Sequence, residues 1–239
     1  MTTDTKTDIQ DWNRDADVYA QMIGTPDDRI YQQFRDVLWD SLGDLSGLDV
    51  LDIGCGHGWL SKLMLEAGAN VWGIDGALAL LEKARQNCPG VEFAEWDLIN
   101  GLPKTDRKYD RMIAYMVLMD VPDLDKLLEN VRNGLAEKGK FIFTITHPCF
   151  FNYKSRRDEA TGEMYCGVKD YLPPAKWRIE NFGGHWHYHR SLTYYVEFLR
   201  RHRLALTRLY EPEQIAFDVE NAEFHRNIPK FMLMESQPI

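Results

Sequence analysis

One stretch constrains the fold of this chain more than any other: Val50-Leu51-Asp52-Ile53-Gly54-Cys55-Gly56-His57-Gly58-Trp59. A short aliphatic run ending in glycine predicts a buried strand, and the residues from Trp59 onward predict a helix. Glycines between a strand and a helix let the backbone approach a bound molecule closely, because no Cβ intervenes. That molecule then lies beside free backbone N–H groups at the helix start. Spacing separates two classes of site. A dinucleotide fingerprint, G-x-G-x-x-G, requires glycine where this chain has Trp59. Gly54, Gly56 and Gly58 follow G-x-G-x-G instead, with Asp52 two residues ahead.

The surrounding chain keeps a strand–helix rhythm. Residues 11–41 read as helical, broken at Gly24-Thr25-Pro26-Asp27, where Pro26 suits a new helix start. After the first strand (47–54), a helix at 59–66 ends at Gly68. Next come a strand at 70–74, a helix at 77–86, and strands at 91–96 and 109–115. A helix at 124–135 and a strand at 140–146, after a Lys138-Gly139 turn, complete the series. Five such alternations predict a parallel sheet covered on both faces. From 147 to 189 the rhythm breaks into Pro- and Gly-containing chain. The 46 residues from Phe150 to Tyr195 nevertheless hold 11 aromatics, which argues against disorder. A helix at 191–202 and strands at 204–210 and 230–235 follow. The chain therefore reads as one domain: a helical cap (1–46), a core (47–146), an aromatic-rich lid (147–189) and a C-terminal helix with strands (190–239).

Acids stand at fitting distances from the glycine turn. Asp75 closes the second strand, where a carboxylate can accept both hydroxyls of a ribose. The same position suits NAD, and also the capping of the helix at Ala77. Trp96-Asp97-Leu98 closes the third strand, and Tyr109-Asp110-Arg111-Met112-Ile113-Ala114-Tyr115 forms the fourth. Together these residues resemble the motif series of class I S-adenosylmethionine-dependent methyltransferases, over about residues 52–146. VLDIGCGHG is the most specific part, and Lys138-Gly139-Lys140 matches the family's turn before the fifth strand.

The resemblance implies a Rossmann-like, doubly wound α/β sheet of about seven strands with helices on both faces. The sheet would be mostly parallel, with the last strand antiparallel between the fifth and sixth. It implies S-adenosylmethionine as cofactor and S-adenosylhomocysteine as product. Gly54, Gly56 and Gly58 would wall the methionine part, and Asp52 would face its ammonium. Asp75, followed by Gly76, would hold the ribose. Asp97 would bond the adenine amino group, with Leu98 packed on the base, and Ala114 and Tyr115 would line the floor. Tyr19 belongs to a segment, Trp12 to Tyr19, that resembles one folding over the cofactor.

Methyl transfer from a sulfonium is an in-line displacement, so the protein chiefly supplies alignment and a dry pocket. Where the acceptor is a protonated alcohol or amine, a base is needed. His147, directly after the fifth strand, and His189, before a helix bordering the same opening, are the candidates, with His185 and His187 beside them. Each also suits a structural, hydrogen-bonded histidine. His57 reads as packing beside the cofactor. His185-x-His187-x-His189 places three rings on one face of a strand, yet no acid-rich motif accompanies them, and no metal is expected. Family members often carry a histidine pair after the fourth strand, where this chain has Val117-Leu118-Met119-Asp120. Met119 cannot take a proton.

Composition narrows the partners. A net charge of −9 repels phosphate backbones, so neither nucleic acid nor an anionic membrane is expected. The polar start has no apolar signal region, and no run approaches a membrane span. Four scattered cysteines without a CxxC pair suit reduced thiols, and the expected location is cytoplasmic. The aromatic stretch, including Phe151, Trp177, Phe182 and Trp186, suits a lid over a small, partly apolar acceptor, or equally a satellite cluster covering the sheet edge. Arg156, Arg157 and Arg190 suit an anionic group on that acceptor. A methyltransferase acting on RNA or protein, or a non-catalytic adenosylmethionine-binding protein, are the rival classes.

Overall fold

The computed structural model describes residues 5–215 and 221–239. Three helices come first: α1 (Thr5–Arg14), α2 (Ala16–Met22) and α3 (Arg29–Leu42). The helix expected to begin at Pro26 begins at Arg29 instead. Asp28 caps it, its Oδ1 accepting from the amides of Ile30 and Tyr31 and its Oδ2 from Gly24. A carboxylate satisfies several orphan amides at once, which a proline cannot do.

The core follows as β1 (Asp49–Ile53), α4 (Trp59–Glu66), β2 (Asn70–Asp75), α5 (Leu78–Asn87), β3 (Glu92–Glu95), β4 (Tyr109–Tyr115), α6 (Asp125–Gly134) and β5 (Leu135–Thr146). β5 starts earlier than expected. Its register against β4 jumps from Tyr109↔Leu135 to Arg111↔Lys140, so Lys138-Gly139 lies in an irregularity within the strand.

The segment 147–189 is more regular than its sequence suggests. It holds two antiparallel hairpins, β6 (Lys154–Arg157) with β7 (Met164–Gly167), and β8 (Ala175–Ile179) with β9 (His185–His189). The chain closes with α7 (Leu192–Arg201), β10 (Leu204–Tyr210), α8 (Ala222–Arg226) and β11 (Phe231–Pro238).

Seven strands form one sheet in the order β10-β11-β5-β4-β1-β2-β3. β1 to β5 run parallel, and β11 lies antiparallel between β5 and β10, as the resemblance implied. Alternating side chains feed two cores, one per face. Leu51, Ile53, Met112, Phe141, Phe143 and Met234 pack with α6 and α7. Val50, Val71, Ile113, Ile142 and Leu233 pack with α3, α4 and α5. Strand order reverses between β1 and β4, and a crevice opens at the strands' carboxyl ends there, as in open α/β sheets generally. No helix among the described residues is long and apolar enough to cross a membrane.

Candidate active site

A cavity of about 200 Å³ occupies that crevice. A single water needs roughly 10–15 Å³ by the same measure, so the space suits an organic ligand rather than one or two waters. One end follows the edges of β1, β2 and β3, and is lined by Gly54, Gly56, Asp75, Gly76, Asp97 and Leu98. The other lies beyond β4 and β5, between Met116–Pro122, Thr146 and the β8–β9 hairpin.

The first end is shaped by backbone. Gly54 and Gly56 hold φ of +69° and +54°, a region other residues rarely adopt. A Cβ on Gly54 would stand 2.5 Å from Val117 Cγ2, so the turn and the segment after β4 meet only because that position is glycine. Asp75 locks the turn: its Oδ2 accepts from Gly56 N at 2.8 Å and its Oδ1 from Ala77 N at 2.8 Å. Each oxygen retains a lone pair for a ligand hydroxyl. Burial pushes the Asp75 carboxyl above the usual range, against the pull of these amides. Asp97 caps the turn Leu98–Asn100 through Ile99 N at 3.1 Å and also faces the cavity.

Tyr19 lies over Gly56 and meets Trp12, His57 and Phe182 edge-on at 5.5, 5.6 and 5.4 Å between ring centres. Burial, then the nearby Asp75, pushes its phenol up. His57 does not line the cavity; it packs beneath Tyr19, and burial lowers its pKa to about 4. Helix α1 closes this roof. Ala79 N donates to Asn13 Oδ1, Tyr188 Oη to Asp8 Oδ2 at 2.6 Å, and Arg178 pairs with Asp11 at 2.9 Å.

Three residues expected to touch a cofactor do not reach the cavity. Asp52 points into the α4 side, where Ser61 Oγ donates to it at 2.5 Å; burial raises its pKa to about 7. Period-two alternation put Asp52 on the opposite face from Leu51 and Ile53. Gly58 serves helix packing, since a Cβ there would lie 3.0 Å from Ala84 Cβ and from Phe93. Ala114 is buried in the sheet core. Tyr19, Gly54, Gly56, Asp75, Gly76, Asp97, Leu98 and Tyr115 are brought together.

Both expected bases also lie elsewhere. His147 Nε2 is 2.6 Å from Glu211 Oε1, and its Nδ1 accepts from Cys149 N and Phe150 N. It thus ties off the chain after β5, while burial pulls its pKa down against Glu211. His189 Nε2 donates to Tyr171 O at 2.7 Å and stacks on Trp177. The histidines in the cavity are His185 and His187. His187 is sandwiched by Phe151 and Trp177, ring centres 5.4 and 4.8 Å away, with Nε2 3.5 Å from Thr146 Oγ1. Burial lowers its pKa to about 3. His185 stacks tilted on Trp12 at 4.5 Å, and its Nε2 is 3.9 Å from Asp120 Oδ1.

Sequence reasoning passed over Asp120 because its surroundings are assembled from distant segments. Its side chain is 9% exposed, and burial pushes its carboxyl well above the usual range. Buried polar atoms without a hydrogen-bond partner gather at this end and along the floor: Asp120 Oδ1, His185 Nδ1, His187 Nδ1 and Tyr115 Oη. Native interiors rarely leave such atoms unmatched, so each marks a place where a ligand, a water or an ion can bond. Met116, at φ +55°, strains the backbone beside them.

The arginines expected to meet an anion do other work. Arg190 is buried and donates to the carbonyls of Leu118, Val121 and Pro122 at 3.1, 2.5 and 2.9 Å, clamping the turn that carries Asp120. Arg156 and Arg157 are exposed on β6, with Arg157 bonded to Gly162 O. Of the aromatic stretch, Phe151 and Phe182 line the cavity; Trp177 and Tyr188 stand behind, and Trp186 lies under Lys176. Among the described residues no group of three His, Cys, Asp or Glu side chains could hold a metal ion.

Comparison with known proteins agrees with this geometry. Residues 50–139 match the methyltransferase-domain family. Over those residues the chain is similar to the methyltransferases that carry this domain. It is 31% identical to a malonyl-[acyl-carrier protein] O-methyltransferase of Acetivibrio thermocellus over 60% of this chain and 56% of that one. It is likewise 31% identical to a demethylmenaquinone methyltransferase of Tropheryma whipplei over 45% of this chain and 46% of that one. The chain thus spans about half the length of these curated relatives. An S-adenosylmethionine-dependent methyltransferase from Mesorhizobium loti superposes with TM-score 0.70 at 24% identity, over 85% of this chain and 97% of that one. DhpI in complex with S-adenosylhomocysteine gives 0.64 at 19% identity, over 98% and 96%. These structures share the methyltransferase fold.

Proposed function

We propose that this protein transfers a methyl group from S-adenosylmethionine to a small, partly aromatic or apolar acceptor. The observation that carries this reading is the pairing of Asp75 with the Gly56 amide. It fixes a Cβ-free turn and a buried carboxylate on one wall of the crevice, as a ribose-bearing ligand requires. When bound, the donor supplies an activated methyl on a positively charged sulfur. Gly54 and Gly56 give the methionine portion backbone to lie against. Asp75 accepts from the sugar hydroxyls, Asp97 from the base amino group, and Leu98 packs on the base. Tyr19 and α1 cover the assembly and exclude water.

The same reading places the acceptor at the far end, against Phe151, Phe182 and Phe231. Organising the reacting groups in this way is worth up to about 7–11 kcal/mol in favourable cases. A net charge of −9 and a cavity with aromatic walls favour a small molecule over a nucleic acid. The whole chain acts as one unit, with residues 1–46 as cap, 47–146 as donor core and the β8–β9 hairpin as the working part of the lid.

Titration calorimetry with S-adenosylmethionine and S-adenosylhomocysteine tests the donor site. Both should bind saturably, and Asp75→Ala should weaken binding by about 1–3 kcal/mol with the fold retained. Absence of saturable heat for either ligand with folded protein overturns the reading.

A further inference from the structure

The charges around the cavity are one-sided. Five carboxylates line it, those of Asp8, Asp28, Asp75, Asp97 and Asp120, and among the described residues no lysine or arginine does. Asp28 caps α3, Asp75 holds Gly56 and Ala77, Asp97 caps its turn and Asp8 accepts from Tyr188. Asp120 differs: its Oδ1 has no hydrogen-bond partner although the side chain is nine-tenths buried, and it stands at the end away from the glycine turn. His185 faces it at 3.9 Å, also buried and with an unpartnered Nδ1. The nearby Arg190 spends its donors on backbone carbonyls and holds this turn in place rather than facing a ligand.

We propose that the acceptor is an amine, held with its nitrogen between Asp120 and His185 and its apolar body against the neighbouring aromatic rings. The inference rests on the methyl-transfer reading above and names the substrate class of that site. A carboxylate or phosphate acceptor would meet the Asp120 carboxyl with no lysine or arginine in the lining to offset it, an arrangement that costs binding. An amine brings donors and, when protonated, positive charge. It satisfies the Asp120 oxygen, and the faces of Trp12 and Phe182 add cation–π attraction. Two of these groups come from distant places in the chain, α1 and the β8–β9 hairpin, and meet Asp120 only in the folded state.

The step balances without a co-reactant. An amine arriving as an ammonium first gives one proton to the Asp120 carboxylate, which passes it to solvent once the product has left. The amine's freed lone pair then forms the N–C bond as the C–S bond breaks, and that electron pair stays on sulfur as a neutral thioether. The positive charge leaves on the N-methylated ammonium. Burial raises the Asp120 pKa, which makes its carboxylate a stronger base toward that ammonium.

Three probes of matched chain length decide the matter: 3-phenylpropan-1-amine, 3-phenylpropan-1-ol and 3-phenylpropanoate, each titrated into the protein saturated with S-adenosylhomocysteine. The amine should bind at least about tenfold more tightly than either analogue. Asp120→Asn should erase that preference while S-adenosylhomocysteine affinity stays within about twofold. His185→Gln should reduce the preference less, because the carboxylate remains. Equal or tighter binding of the propanoate or the alcohol, no binding of the amine, or an undiminished preference in Asp120→Asn overturns the proposal. If S-adenosylhomocysteine itself fails to bind, the methyl-transfer reading falls first, and the two failures are told apart before any probe is added.

Discussion

The two ends of the crevice are built by different means. At the glycine end, groups on neighbouring strand ends, no more than 19 residues apart, satisfy one another: Asp75 bonds Gly56 and Ala77, and Asp97 bonds Ile99. Beyond β4, partners come from far along the chain. Arg190 clamps residues 118–122, Trp12 stacks on His185, and Phe151 on His187. The near-end acids Asp75 and Asp97 already bond backbone amides, whereas Asp120 Oδ1 at the far end has no hydrogen-bond partner. Under the methyl-transfer reading proposed above, the first end is a fixed donor grip and the second an adaptable acceptor pocket.

The largest expected effect attacks the junction between the ends. Gly54→Val places branched carbon against Val117 at a left-handed φ, and should cost about 3 kcal/mol or more of stability and abolish S-adenosylhomocysteine binding. Denaturant unfolding and calorimetry measure both. A variant that still binds would show that the turn tolerates a Cβ, and the distinction drawn for the near end would fail.

A subtler contrast is electrostatic. At the far end His187 has a folded pKa of about 3 against about 6.5 unfolded, so between these values the unfolded chain binds more protons. Its share of stability is complete above pH about 6.5 and is lost as pH falls, on the order of 2–3 kcal/mol by pH 4. Behind the near end, on the α4 side of the sheet, Asp52 has a folded pKa of about 7 against about 3.9 unfolded, so the native state binds more protons there. Its contribution is greatest at low pH and declines as pH rises toward 7. Unfolding curves across pH 4–8 should lose the acid-side slope in His187→Gln and the opposing slope in Asp52→Asn. Parallel curves for wild type and both variants would remove the contrast.

The smallest effect concerns a residue outside both ends. His147→Gln loses the Glu211 bond and two amide contacts and should cost about 1–2 kcal/mol, with S-adenosylhomocysteine affinity unchanged. A drop in that affinity, measured by calorimetry, would return His147 to the site.

Much of the near end was legible because local rules govern it. β4 and β10 coincide with their expected limits, and Gly54, Gly56, Asp75, Asp97 and Leu98 face the cavity as the spacing and resemblance implied. Asp52 and Gly58 belong to the same pattern, yet strand alternation and helix contact turned them into the core. The far end was less legible. Position after β5 marked His147 and strand periodicity grouped three histidines. Neither rule indicates that His147 and His189 find protein partners while His185 and His187 turn to the crevice. The β8–β9 hairpin went unpredicted for a related reason. Its strands gain stability by pairing with each other and packing on α1, contacts that a scan for hydrophobic periodicity does not register.

The sequence by itself determined the sheet, the glycine turn and the acids along its rim, since each depends on neighbours within a few residues and on periods of two and 3.6. Tertiary structure alone decided which histidines face the crevice and that Asp120 stands opposite one of them. It also decided that the arginines serve the backbone rather than a ligand. Those outcomes depend on which distant groups satisfy each buried donor and acceptor, and chain closure settles that competition only when the whole sheet and its hairpins have come together.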